Sequence, residues 1–261
     1  MSGLDQTSTN SLYFSMATAV GFLVAGVVLS LRRGRPHPLL LVSISAASFS
    51  WIEAPYDWAM YAQFPPELPR MPSWWPLNMT WGGGLPNSVP LGYISYFGMP
   101  ALAAVGLANW LISAFKLGRP LTFLTVGLIV GFLWAFFFNG YIGAQLGVFH
   151  YGRVIEGLAI RPGTISQYPL YDSLAMGIQV MVIAYLLGRT DSQGRTIVDA
   201  WTDGVTKNRA GSAALSIATF VVIGNLVYLS VFAPHLVTKV LHLQTVAPNE
   251  QLYPGVPNQP L

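Results

Sequence analysis

Six stretches of the chain, residues 12–31, 38–60, 91–115, 121–142, 169–187 and 210–232, contain neither Lys nor Arg and consist mainly of Leu, Val, Ile, Ala, Phe and Gly. About 20 apolar residues in a helix cross the hydrocarbon core of a bilayer, and a longer run crosses it tilted. Six such runs predict an all-α, polytopic membrane bundle of about six transmembrane helices in a cell membrane. Composition agrees: 53% of residues are hydrophobic and 9% charged, where a soluble domain carries roughly a quarter charged. That deficit argues against a soluble globule, a disordered chain and a coiled coil together. The formal charge of +3 would hint at nucleic acid only if the cations clustered on a surface, and they lie in the connections instead.

Those connections orient the bundle. The short turns after the first, third and fifth spans carry Arg32, Arg33, Arg35, Lys116, Arg119, Arg189, Arg195, Lys207 and Arg209, whereas the other side carries Arg70, Arg153, Arg161 and Lys239. The side richer in Lys and Arg faces the cytoplasm, so the N- and C-termini are expected outside. Asp5, with no cation before the first apolar run, is wrong for a secretory signal, and that run reads as a retained helix. Residues 1–245 then form one transmembrane helical domain, followed by a Pro-rich tail at 246–261 expected to be disordered or draped on the surface.

The two long outward connections are unlike linkers. Residues 63–90 hold seven Pro together with Trp74, Trp75 and Trp81, a composition that cannot be helical throughout. It suits an interfacial aromatic anchor and a lid equally well. The second connection, 143–168, contains His150, Arg153, Glu156, Arg161 and Tyr168 and is polar enough to border a site. Gly127 and Gly131 form a GxxxG pair in the fourth span, the mark of close helix packing.

Ionisable groups within spans are costly and are functional candidates by default. Glu53 and Asp57 lie four apart in Trp51-Ile-Glu-Ala-Pro-Tyr-Asp-Trp58, so on a continuous helix both carboxylates share a face, although Pro55 between them predicts a kink. Asp172 opens the fifth span, Asn139 ends the fourth, and Asn225 lies late in the sixth with His235 beyond it. All fall in the outward half of the bundle. Two carboxylates in one low-dielectric cleft do not both ionise easily, which supplies an acid and a base. The plainer alternatives stand beside this reading: Glu53 as a helix-to-helix hydrogen-bonder, Asp57 and Asp172 as interfacial caps, and Asn139 and Asn225 as interhelical glue. Tyr56-Asp57 and Tyr171-Asp172 resemble each other loosely, as two halves meeting at a repeat interface would. Tyr56 and Tyr171 are then hydrogen-bond donors to a bound oxygen, or simply belt tyrosines. His150 borders the same region.

The absent motifs narrow the chemistry. The sequence contains no Cys, HExxH, P-loop or dinucleotide glycine pattern, so thiolate sites, zinc proteolysis, nucleotide hydrolysis and dinucleotide redox chemistry lack their usual parts. The four His, at 37, 150, 235 and 242, are too scattered for copper or di-iron ligation. No metal and no cofactor are expected. Proton chemistry on an apolar molecule, or transport of one, remains. The expected partners are an apolar or lipid-like small molecule and membrane lipids, with no nucleic acid.

Trp51-Ile-Glu-Ala-Pro-Tyr-Asp, the Pro/Trp-rich stretch through Trp81 and Tyr168-Pro-Leu-Tyr-Asp172 resemble the AveC-like spirocyclase family, small actinobacterial integral-membrane proteins. The likeness spans about residues 12–232. It implies closure of a dihydroxy-ketone polyketide into a spiroketal, in some members joined to a dehydration, and so a place in secondary metabolism. Such a reaction needs an acid at a carbonyl or hemiketal oxygen, stabilisation of an oxocarbenium ion and a base for the attacking hydroxyl. The polarity argument assigns Glu53 as acid and Asp57 or Asp172 as base, with Asn139, Asn225 and Tyr171 orienting. Aromatic faces such as Trp51, Trp58 and Trp134 are candidates for cation stabilisation, though core or lipid-facing roles are the commoner use. A membrane terpene cyclase acting on a prenylated substrate and a non-catalytic lipid-binding or transport subunit stay open beside it.

Overall fold

The structure, a computed structural model, describes residues 3–81 and 83–253. Helix α1 (Gly3–Arg33) is followed by α2 (Pro38–Phe49), a single 3-10 turn (Ser50–Ile52) and α3 (Glu53–Met60). Strand β1 (Ala62–Gln63) leads through a long connection to α4 (Ser88–Phe115) and α5 (Arg119–Ala135), which continues as a π-helix over Phe136–Gln145. Then come β2 (His150–Tyr151), β3 (Ala159–Ile160), β4 (Tyr168–Pro169), α6 (Leu170–Gly188), the short α7 (Ile197–Val205) and α8 (Arg209–Val240). Among the described residues six helical segments are long and apolar enough to cross a membrane: Tyr13–Arg33, Pro38–Met60, Ser88–Phe115, Arg119–Gln145, Leu170–Gly188 and Arg209–Val240. Their outer faces leave Val24, Leu31, Trp110, Leu121, Leu133 and Leu226 exposed, a ring of apolar surface that suits lipid and would be costly in water.

Local chemistry sets where the elements begin and end. Pro38 opens α2 at a position whose N–H has no helical partner, and the His37 imidazole accepts from Leu39 N. Tyr61, in the left-handed region, ends α3, and Lys116 ends α4 in the same conformation. A capping box between Thr196 and Asp199 starts α7, and Asn208 caps α8. The kink expected between the two acids is absent. Pro55 sits in the first turn of α3, where a missing N–H costs no hydrogen bond, and the irregularity falls earlier, in the 3-10 turn. The last span also runs past its expected end, so His235 and Lys239 belong to α8.

α5 and α6 pack with almost no space between backbones: a Cβ at Gly131 would lie 2.6 Å from Val180 Cβ and 2.9 Å from Gly177 Cα. At one end of the bundle the connections are zipped into a cap. β1 pairs antiparallel with β2 (Ala62↔Tyr151, Gln63↔His150), and β3 with β4 (Ala159↔Pro169, Ile160↔Tyr168). Arg70 donates to the carbonyls of Pro65 (2.7 Å) and Gly84 (2.8 Å), which folds the Pro-rich connection back on itself. The segment after α8 joins the cap through the Val154↔Val246 bridge and a bond from Gln244 Nε2 to Ala59 O (2.9 Å). Its stretch to Tyr253 is thus packed on the cap, with Leu252 and Tyr253 buried; the rest of the expected tail, 254–261, lies outside the described residues.

Candidate active site

Beneath the cap, α3, α4, the π-helix, α6 and α8 enclose a chamber of about 300 Å³, the lower end of the range typical of small-molecule sites. Its walls are apolar and aromatic, with Met60, Phe64, Phe97, Trp134, Phe138 and Phe149 among them, and it opens beside the exposed Phe14 of α1. The three carboxylates Glu53, Asp57 and Asp172 line it, together with Tyr56 and Asn139. Among the described lining residues there is no Lys, Arg or His.

Each carboxylate has a different set of partners. Asp172, at the start of α6 and 1% exposed, is held by four donors: Tyr56 Oη to Oδ1 at 2.8 Å, and Asn139 Nδ2 (2.9 Å), Tyr151 Oη (3.0 Å) and Tyr168 Oη (3.2 Å) to Oδ2. These donors come from four separate elements, so Asp172 ties α3, the π-helix and the cap to α6. Burial first and the Asp172 charge second hold the Tyr151 and Tyr168 hydroxyls well above the usual phenol range, which keeps both protonated as donors. Glu53 Oε2 accepts from Tyr228 Oη (2.9 Å) and from Tyr93 Oη, and the two phenols also bond each other. Asp57, one helical turn from Glu53 on the same continuous α3, is 6% exposed, and its Oδ2 has no hydrogen-bond partner among the described residues. Trp134 Nε1, also on the chamber wall, is buried and unpaired in the same way. A buried polar atom left without a partner costs about 1–3 kcal/mol, so an unpaired acceptor and an unpaired donor facing one space mark where a ligand's polar groups fit.

The π-helix explains how Asn139 arrives there. A π turn inserts an extra residue per hydrogen-bonded ring and so rotates the succeeding side chains about the helix axis, and Asn139 lies within that stretch. Gly143 is needed at its far end, where a Cβ would come within 2.5 Å of the Phe149 ring.

The other candidates read from the sequence lie elsewhere. Trp51 Nε1 donates to Asn225 Oδ1 (3.0 Å) and Asn225 Nδ2 to Ser48 Oγ (2.9 Å), a link between α8 and the α2–α3 segment outside the chamber lining. Trp58 faces the Lys239 ammonium, 5.0 Å from its ring centroid. Tyr171 packs on His235 (5.6 Å between centroids), and His150 lies in β2 against Tyr253 (5.3 Å). The Tyr-Asp resemblance meets on one side only: Tyr56 reaches Asp172, while Tyr171 does not reach Asp57. The phenols of Tyr93, Tyr151 and Tyr228 are the polar groups the sequence reading passed over, while Tyr168 was read as part of a connection bordering the site. Tyr228 offered a signal, since it lies 12 residues, roughly 18 Å, from the cap-side end of α8 at Val240, too deep for an interfacial belt.

Fold and chamber together define a bundle of membrane-spanning type whose buried acids face a largely apolar chamber open on one side. The profile described as Spirocyclase AveC-like matches residues 31–259, and the chain belongs to the AveC-like spirocyclase family. No curated protein and no solved structure gives a match.

Proposed function

We propose that this chain is a membrane-embedded cyclase that closes rings on a neutral, hydroxylated, largely apolar substrate by carboxyl acid–base chemistry, with spiroketal formation as the reaction. The observation that carries the reading is Asp57: a buried carboxylate with a partnerless oxygen, one turn from Glu53 and on the same chamber as Asp172. Family membership supplies the cyclase class. Neutrality of the substrate follows from the lining, because three carboxyl groups without a cation repel phosphate and carboxylate ligands.

In this scheme a substrate hydroxyl adds to the ketone to form a hemiketal. Asp57, whose Oδ2 has no donor to favour a charged carboxylate, gives its proton to the hemiketal hydroxyl, which leaves as water, and the resulting oxocarbenium ion lies opposite Asp172. Four donors suit Asp172 to remain an acceptor throughout, an electrostatic partner for the cation. The second hydroxyl then bonds to the cationic carbon and passes its proton to Glu53, which the Tyr93 and Tyr228 hydroxyls suit as an acceptor. Proton return from Glu53 to Asp57 across one helical turn resets the site, so one water is lost per cycle and no other reagent is consumed. Compared with the sequence reading, this gives Asp57 the acid role, Glu53 the base and Asp172 a stabilising one.

Membranes containing the protein, incubated with a dihydroxy-ketone of polyketide length, should yield a product lighter by one water. Asp57→Asn and Glu53→Gln should each lower that rate by about 10²–10⁴-fold, the usual worth of a general acid or base. Return of every offered polyol and prenylated compound unchanged would identify a binder; cyclisation of the prenylated compounds alone would identify a terpene cyclase.

A further inference from the structure

The end of the bundle away from the chamber carries a second recess, of about 570 Å³, between the start of α5, the end of α6 and the start of α7. Arg119, Arg189 and Arg195 line it with Asp191, Thr190 and Thr196. Arg195 is neutralised by Asp191 at 2.7 Å and Asp203 at 3.5 Å. Arg119 and Arg189 have no carboxylate within 4.0 Å among the described residues; the first donates to Gly188 O (3.4 Å) and lies 5.9 Å from the Phe123 ring centroid, and the second donates to Tyr185 Oη (2.6 Å). The turn that presents Arg189 is closed by Ile197 N to Arg189 O (3.1 Å) and Asp191 N to Arg195 O (2.9 Å), and Arg119 stands on the first turn of α5.

The adjoining helix buries two polar side chains beside Val198 and turns apolar ones outward. α7 buries Asp199 (2% exposed) and Thr202 (0%) against α8, where Thr202 Oγ1 meets Ser212 Oγ and Ser216 Oγ at 3.1 and 3.0 Å. Its free face carries Ala200, Trp201 (53% exposed) and Val205 (60%). A helix on a water-soluble protein does the reverse; an apolar face with Trp turned outward is the arrangement of a helix lying in a membrane interface. Leu121, 72% exposed, continues that apolar surface from the first turn of α5. The two uncompensated guanidinium groups therefore sit beside lipid-facing surface, at headgroup depth.

We infer that this recess binds an anionic phospholipid, Arg119 and Arg189 holding its phosphate and the Trp201 face of α7 lying along an acyl chain. Guanidinium groups match phosphate oxygens in pairs, and basic recesses between membrane helices take anionic headgroups. A soluble phosphate would gain the arginines but leave the apolar face uncovered. The inference does not depend on the cyclase reading.

The test uses the full chain, purified in detergent and mixed with phosphatidylglycerol or phosphatidylcholine of the same chain length, with retained lipid counted by native mass spectrometry. Phosphatidylglycerol should be retained on the order of tenfold more than phosphatidylcholine, as two cations at a membrane surface provide, and Arg119→Gln/Arg189→Gln should bring the two to parity. Should the double variant fail to fold, Arg119→Gln and Arg189→Gln alone are each expected to lose about a third of the preference on a logarithmic scale or more. Trp201→Ser should lower retention of both lipids and leave their ratio unchanged. Equal retention of both lipids by the wild type, or a preference that survives loss of the arginines, would overturn the inference. Displacement of phosphatidylglycerol by an equal concentration of inorganic phosphate would do so too, by making the recess a site for soluble anions.

Discussion

Asp57 and Asp172 are buried to similar depth yet stand in opposite relations to their surroundings. Four donors address Asp172, so Asp172→Asn turns an amide N–H toward a donor and strands at least one phenol. A stranded buried group costs about 1–3 kcal/mol, which thermal unfolding in detergent should register as a lowered midpoint. Asp57→Asn has no such bond to lose. It removes an uncompensated buried carboxyl, so its unfolding midpoint should equal or exceed that of the wild type while its activity collapses, the pattern of a residue kept for function at the expense of stability. A large drop in midpoint for Asp57→Asn would mean that its carboxyl has a structural partner and would remove it from the mechanism. The three acids were legible in the sequence because a charge inside an apolar run needs a reason. Of the phenols around them, Tyr56 was read as a donor and the depth of Tyr228 in its span was a usable signal, whereas Tyr93, near a span end, looks like an ordinary belt tyrosine of a membrane helix.

At the scale of the elements, the α5–α6 contact sets the position of Asn139. Gly131 and Gly177 let the two backbones touch, and the π-helix begins shortly beyond Gly131, at Phe136. Gly131→Leu should force the helices apart at a cost of about 1–3 kcal/mol and draw Asn139 away from Asp172. Gly106→Ala is the control, because a Cβ there meets nothing within 4 Å, and it should leave both unfolding and turnover unchanged. The GxxxG pair announced close packing in the sequence, and the span boundaries were legible to within a few residues at most ends. The switch to π geometry was hidden: Phe-Phe-Phe-Asn-Gly-Tyr-Ile-Gly at 136–143 reads as more of the same helix, and only the packing of Gly140 on Tyr168 and Gly143 on Phe149 reveals why the turns widen. α7 was missed for a related reason, as its nine residues are too few for periodicity to stand out from a polar connection.

For the molecule as a whole, the cap decides whether the chamber is closed, and His150 makes part of that cap sensitive to acid. Burial holds its imidazole below the usual histidine range, so the folded state disfavours the proton. The contribution is intact above the unfolded value of about 6.5 and is lost as pH falls from there through the folded value. The protection of the Ala62, Gln63, His150 and Tyr151 amides, measured as exchange relative to the intrinsic rate at each pH, should therefore fall between about pH 7.5 and pH 5.5, a range that spans the imidazole's titration, and His150→Phe should flatten that response. The sequence showed two long, unusual connections but not that they pair with each other, because strands of two residues carry no period to read. It left the tail after residue 245 as either disordered or draped on the surface, and as far as Tyr253 the chain lies on the cap through Val246 and Tyr253.

That last attachment governs the order in which the protein can mature. The β1–β2 pair joins residues about 90 apart in the chain, and the bridge between Val154 and Val246 adds a partner that is synthesised after every helix. A nascent chain can therefore insert and bundle these helices while the roof over the acids is still missing a beam, and competence arrives only when the stretch through Val246 has emerged and paired with Val154. A chain halted just after Val240 should reach the membrane in normal amounts yet fall to surveillance proteases, a fate that pulse-chase labelling would reveal as a shortened lifetime without a deficit in insertion.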